Sequence, residues 1–415
     1  MKKPLILIVF AVVIVAAIVV KIKFITPTIS ADYKLPSRVG PTSDQLLSNQ
    51  LAELERNPND PATLASAAEM YFSRANRSSS VSDYQKAREL AKLSLKVLPK
   101  DNYAAELVLA KLLAEQHDFI EAIEAAEKIA AKSAKVRLQA LPLLITSYLG
   151  VGNSKRASEL ADELVQTRPT SLAMSLRALV LEEQGRDQES FFEFKRALEL
   201  EDIGDSEQSA WIRAVFARHC LKHHDLKNAA ILLENALKIS PELPLALDIS
   251  GELSLVNKNF DEADRFFNQA FRATRDSHLL IQLANSKNLQ NKPEAAKQYF
   301  SQAESLVAAD IEKGSFGHRL DLAIAIIGQG SDRSQKAIDL ALEELKRRQN
   351  SKAWYVLARA YSSAKKWDQA LAAVLAALRS GTREPKYYAE ASAIYKELGN
   401  QQRAEFYERL AREIN

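Results

Sequence analysis

The chain has 415 residues, is 47% hydrophobic and 26% charged, and carries a formal net charge of +3. Twelve glycines and 13 prolines are too few for a collagen-like, disordered or many-turned all-β chain. The single cysteine, Cys220, excludes an internal disulfide and any multi-cysteine zinc or iron–sulfur site.

The first predicted element follows a short tail, residues 1–3. Residues 4–20 are an uncharged apolar run, flanked by Lys2 and Lys3 before it and Lys21 and Lys23 after it. As a helix this run spans ~25 Å, close to the ~30 Å hydrocarbon core of a bilayer. A cleaved signal peptide needs a shorter apolar stretch with a small-residue site close behind. The nearest such sites, around Thr28-Ile29-Ser30 and Ile29-Ser30-Ala31, lie well past the run. An uncleaved single-pass anchor is the expectation, with the lipid bilayer as its partner. No cysteine follows the run, so lipidation at a cysteine is excluded. Lysines are nearly balanced on the two sides, so charge alone sets no orientation. The Met-Lys-Lys start resembles a bacterial export signal. That resemblance implies a cytoplasmic N-terminus and an extracytoplasmic body. Residues 21–42, broken by Pro27, Pro36 and Pro41, read as an extended linker.

From Ser43 onward, Ala, Leu, Glu and Lys dominate and apolar residues recur three and four apart, the amphipathic-helix pattern. A leading half-repeat helix is expected in 43–60. Beyond it, helical stretches alternate with short turn signals such as Gly152-Asn153, Gly185-Arg186-Asp187 and Gly399-Asn400. A small residue opens the second helix of each hairpin: Ala87, Ala122, Ala157, Ser190, Ala229, Ala263, Ala296, Ala337, Ala370 and Ala404. Their spacings are 35, 35, 33, 39, 34, 33, 41, 33 and 34. The spacings of 39 and 41 predict loop insertions of about one turn each. Twelve residues before the landmark lies another small residue in most repeats, as at Ala110, Ala178, Ala217, Gly251 and Ala358. Seven after it lies a third, as at Ser94, Ala197, Ala236 and Ala377. Small residues at these points let helices approach to ~8–10 Å. Three places break the pattern. An insertion falls within Ser73 to Asp83, Pro142 and Ile145 occupy the third repeat, and the eighth, Asp321 to Arg348, matches least well.

The period and the set Trp354, Leu357, Ala358, Tyr361, Ala370 and Ala377 resemble the tetratricopeptide repeat (TPR). The resemblance covers residues 61–415. It implies an all-α, right-handed TPR superhelix of about ten helix-turn-helix repeats, whose first helices line a groove that holds proteins or peptides. The implied role is a scaffold rather than an enzyme, with no cofactor and no metal. Projected onto the repeats, the groove positions are Trp211, Ala214, Arg218 and Leu221 in the fifth, His278, Ile281, Asn285 and Asn288 in the seventh, and Lys352, Tyr355, Arg359 and Ser362 in the ninth. The expected partner-binding residues are Trp211, Arg218, Asn285, Lys352, Tyr355 and Arg359. Asn285 sits where co-chaperone TPR domains clamp a carboxylate, but Ile281 replaces the lysine of that clamp.

Charge is uneven. Residues 333–415 carry 16 basic and 10 acidic side chains, net +6, while residues 24–332 carry −7. A basic end on an acidic body can steer an acidic partner, and solvated helix faces with paired charges give the same count. Basic and acidic residues are interleaved and no reader motif occurs, which argues against nucleic acid as a partner. His219 and His223, four apart on one helix, are the one metal-like spacing, with Cys220 turned away from them. Three functions follow in order. The first is a membrane-tethered scaffold in bacterial envelope assembly, secretion or surface-polymer export. The second is a groove that senses peptides or glycans. The last is a metal-dependent enzyme at His219 and His223.

Overall fold

The structure is a computed structural model. It describes residues 43–414 apart from 79, 202–205 and 313–317. The expected anchor (4–20) and linker (21–42) lie outside the described residues. Among the described residues no helix is long and apolar enough to cross a membrane.

The described chain is all-helical. A leading helix α1 (Ser43–Arg56) precedes ten antiparallel pairs. These are α2 (Pro61–Ser78) with α3 (Val81–Val97), α4 (Tyr103–Glu115) with α5 (Phe119–Ala130), and α6 (Ala134–Gly150) with α7 (Ser154–Thr167). Next come α8 (Ser171–Glu183) with α9 (Asp187–Glu199), α10 (Ser206–Lys222) with α11 (Leu226–Ile239), and α12 (Pro244–Val256) with α13 (Phe260–Thr274). The last four are α14 (Ser277–Leu289) with α15 (Pro293–Glu312), α16 (Arg319–Gln329) with α17 (Ser334–Leu345), α18 (Ser351–Ser363) with α19 (Trp367–Ala377), and α20 (Pro385–Glu397) with α21 (Gln401–Ile414). This is a TPR-like array.

The small residues do what the pattern predicts. Every landmark residue from Ala87 to Ala404 is fully buried, as are Ala110, Ala178, Ala217, Ala284, Ala325 and Ala358 at the facing position. The crossing points are therefore sites of close backbone approach, filled around by larger side chains such as Phe191, Phe194, Phe216 and Phe267. In eight of the ten repeats the turn between the two helices is built the same way. Five residues before the landmark, the chain takes a left-handed conformation at His117, Gly152, Gly185, His224, Lys258, Asn291, Lys365 and Gly399. In the second repeat this lets His117 N–H reach Ala114 O at 2.9 Å and Asp118 N–H reach Leu113 O at 2.9 Å, closing the end of α4. The eighth repeat departs: Gly330 (φ 134°) leads into a 3-10 turn, Ser331–Arg333. Its loose match in sequence has this structural counterpart.

The insertions are partly absorbed by helix. α2 runs 18 residues and takes up extra length in the first repeat, and α15 runs 20 residues. The rest of the two predicted loop insertions falls at 202–205 and 313–317, outside the described residues. α6 continues through Pro142 without ending.

Curvature has a simple cause. First helices of successive repeats pack directly on one another in most neighbouring pairs, whereas successive second helices make no comparably close approach. The first helices therefore form the concave side.

Candidate functional site: the inner groove and its seam

A ladder of charge crosses the concave side. On α10, Arg218 Nη2 lies 3.2 Å from Asp248 Oδ2 of α12. His278 Nε2, on α14, lies 3.7 Å from the same oxygen. On α16, Asp321 Oδ1 is 3.8 Å from Lys352 Nζ of α18, and its other oxygen is 3.5 Å from His318 Nδ1. Burial opposes ionisation of Asp321, yet Lys352, His318 and His278 hold its carboxyl well below the usual carboxylate range. Asp321 in turn raises His318 above an ordinary imidazole. Beside the ladder, the Tyr355 ring stacks on Tyr387 with centroids 4.6 Å apart, and burial pushes the Tyr355 phenol up.

The six expected groove residues divide. Arg218, Asn285 and Lys352 are exposed, and Tyr355 and Arg359 are half-buried. Asn285 Nδ2 donates to Gln282 Oε1 at 3.3 Å. Trp211 is half-buried and packs against the apolar core of repeats two to six. Of the wider projection, Ala214 and Ile281 are buried. Ala214 belongs to the apolar core of repeats two to six and Ile281 to that of repeats six to eight. The acidic members Asp248, Glu252 and Asp321 were not anticipated. Projecting the same positions onto the sixth repeat selects Asp248 and Glu252, so their signal was present. Asp321 lies one residue off register in the loosest repeat, where no such rule finds it.

The second feature is a seam. The superhelix returns on itself with an offset of about six repeats, bringing repeats two to five against repeats eight to ten. Arg347 Nη1 pairs with Asp118 Oδ1 at 2.6 Å. Asn350 Nδ2 donates to Gly150 O at 2.9 Å, and Gln349 N–H donates to Val151 O at 3.3 Å. Lys222 Nζ bridges Glu182 and Glu384, 3.2 Å from each. Asp187 lies 3.3 Å from His223 Nε2 and 3.4 Å from Arg383 Nη1. Burial opposes the charge on Glu182, but Lys222 and His219 overcome it and hold the carboxyl far below its usual value.

Carboxylates bordering the seam account for His219 and His223. His219 is fully buried, and its Nδ1 hydrogen-bonds Glu182 Oε2 at 3.0 Å. His223 faces Asp187. Each imidazole has its own carboxylate from the fourth repeat, and the pair shares no common metal-binding set among the described residues. Burial raises the Cys220 thiol well above its ordinary value and keeps it unreactive.

No protein-family model matches the chain, and no curated protein matches it. Among solved structures, the fold is similar to one titled "Crystal structure of APC/C hetero-tetramer Cut9-Hcn1", with 14% sequence identity, 90% of each chain covered and a TM-score of 0.35. At that identity and score the likeness carries neither a function nor a partner to this chain.

Proposed function

We propose that this protein is a membrane-tethered scaffold that holds segments of other proteins along its inner groove, in bacterial envelope assembly, secretion or surface-polymer export. The observation that supports the groove is its lining. First helices present exposed Arg218 and Lys352 together with half-buried Tyr355 and Arg359, the tyrosine stacked on Tyr387. That mixture suits a reversible protein interface rather than a packed core. The reading of residues 4–20 as an anchor rests on their unbroken apolarity and flanking lysines. The Met-Lys-Lys start supports a cytoplasmic N-terminus and an extracytoplasmic body. Partners are proteins or peptides, with the bilayer as a further partner of the anchor, and nucleic acid has no reader here.

The test is co-purification of the native partner with the full chain after mild cross-linking. Arg218→Ala combined with Arg359→Glu removes one groove cation and reverses another, on side chains that are exposed and half-buried respectively. The variant folds and loses most of the partner. Undiminished recovery by the folded variant contradicts the groove as the binding surface.

A further inference from the structure

One side-chain cluster on the inner face has no use in the scaffold reading. Asp248 and Glu252 sit four residues apart on α12, so both reach the same side of that helix. His278 comes from α14. One ligand atom from each of the three lies within 4.8 Å of the others. The helices that carry them make the loosest approach of any neighbouring first helices.

Asp248 is only 7% exposed. Its Oδ2 takes the Arg218 guanidinium at 3.2 Å. Its Oδ1 is buried and has no hydrogen-bond donor. A sealed carboxylate oxygen without a donor is costly, and a bound cation removes that cost. His278 Nε2, 3.7 Å from Asp248 Oδ2, is too far for a hydrogen bond. With metal bonds of ~2.1 Å, two ligands of a tetrahedral ion stand roughly 3.4 Å apart. The observed gap needs a contraction of only a few tenths of an ångström. Glu252 Oε1 accepts from Gln282 Nε2 at 2.8 Å. A cation between the two carboxylates offsets their mutual repulsion.

We propose that Asp248, Glu252 and His278 bind one divalent first-row cation of the zinc class. Two carboxylates with an imidazole nitrogen suit Zn²⁺ and disfavour Mg²⁺ and Ca²⁺, which take all-oxygen sets. A neighbouring trio, Asp276, His318 and Asp321, is less suited. Asp276 Oδ1 already accepts from the His278 backbone N–H at 2.9 Å, and Asp321 is paired with Lys352 and His318. The site stands independently of the scaffold reading. In the groove, an ion held by three protein ligands keeps a coordination position open toward whatever lies there.

The experiment is equilibrium dialysis of Zn²⁺ against the untagged full chain in a non-chelating detergent, with Co²⁺ absorption as a second readout. The expected result is one saturable Zn²⁺ per chain, unaffected by excess Mg²⁺. Asp248→Asn and His278→Gln each weaken binding by about tenfold or more. His278→Gln also changes the Co²⁺ ligand-field bands, and His278 is half-exposed, so that variant folds. Arg218→Gln removes a competing positive charge and tightens binding. No saturable Zn²⁺, or binding of unchanged strength in both ligand variants, overturns the site.

Discussion

At the residue scale, the seam depends on a buried carboxylate where the repeat pattern calls for a small side chain. Glu344 lies seven residues after Ala337, the position held by Ala in most other repeats, and it is completely buried. Burial opposes its charge, while His117, Arg348 and Arg319 hold its carboxyl below the usual range. Arg348 Nε stands 2.7 Å from Glu344 Oε1, although the pair is not aligned as a hydrogen bond. His117 reaches Glu344 at 3.7 Å from the second repeat, its ring stacked on Phe119. Burial and Arg348 depress the His117 imidazole against the pull of Glu344. A base with a depressed folded value stabilises the fold fully above its unfolded value, near 6.5, and loses that stability as pH falls through the folded value. His318, raised by Asp321, acts in the opposite sense, so the comparison needs a variant. Urea unfolding between pH 7.5 and 5 should show the wild-type chain losing up to about 1 kcal/mol more than His117→Gln. A shallower loss in the wild type means that Glu344, not burial, governs the imidazole.

At the element scale, the turns inside the repeats set where one superhelical turn meets the next. Gly185 has φ +70°, and a Cβ there would stand 2.2 Å from Gly381 O across the seam. Gly399 occupies the same turn position in the last repeat, with φ +72° and nothing nearby. Both residues lose the left-handed freedom of glycine on substitution, at about 1 kcal/mol. Only Gly185→Ala also pushes the seam apart. Its urea midpoint should fall clearly further than that of Gly399→Ala, and equal losses contradict the contact.

These turns also mark the limit of what the sequence made legible. Glycine flagged the turns at 152, 185 and 399. His117, His224, Lys258, Asn291 and Lys365 adopt the same conformation without glycine, because the flanking helix pair determines it. Repeat number, helix pairing and buried landmark positions were readable, because each small residue serves a local crossing. Pro142 and Ile145 looked disruptive, yet α6 runs through both, and Ile145 is fully buried.

At the scale of the whole molecule, the seam was not legible at all. It joins residues such as Gly150 and Asn350, 200 positions apart. No period or motif signals that contact, since it depends on small rotations accumulated over about six repeats. On the inner face, contacts between adjacent repeats bury Ala214 and Ile281 and set acidic residues of the sixth and eighth repeats beside the predicted cations. The groove is thus a charge-balanced lining within a chain that contacts itself, and the account assigns partner binding to that lining. The most direct measurement places a photo-crosslinking amino acid at Asn285, exposed on the inner face, and in a separate variant at Glu234, exposed on a second helix. Both are expressed in full-length chains in the native cells. The account predicts a discrete cross-linked partner from Asn285 and none of that species from Glu234. Cross-linking of that species from Glu234 alone, or equally from both, would show that the outer surface carries the interaction and contradict the groove.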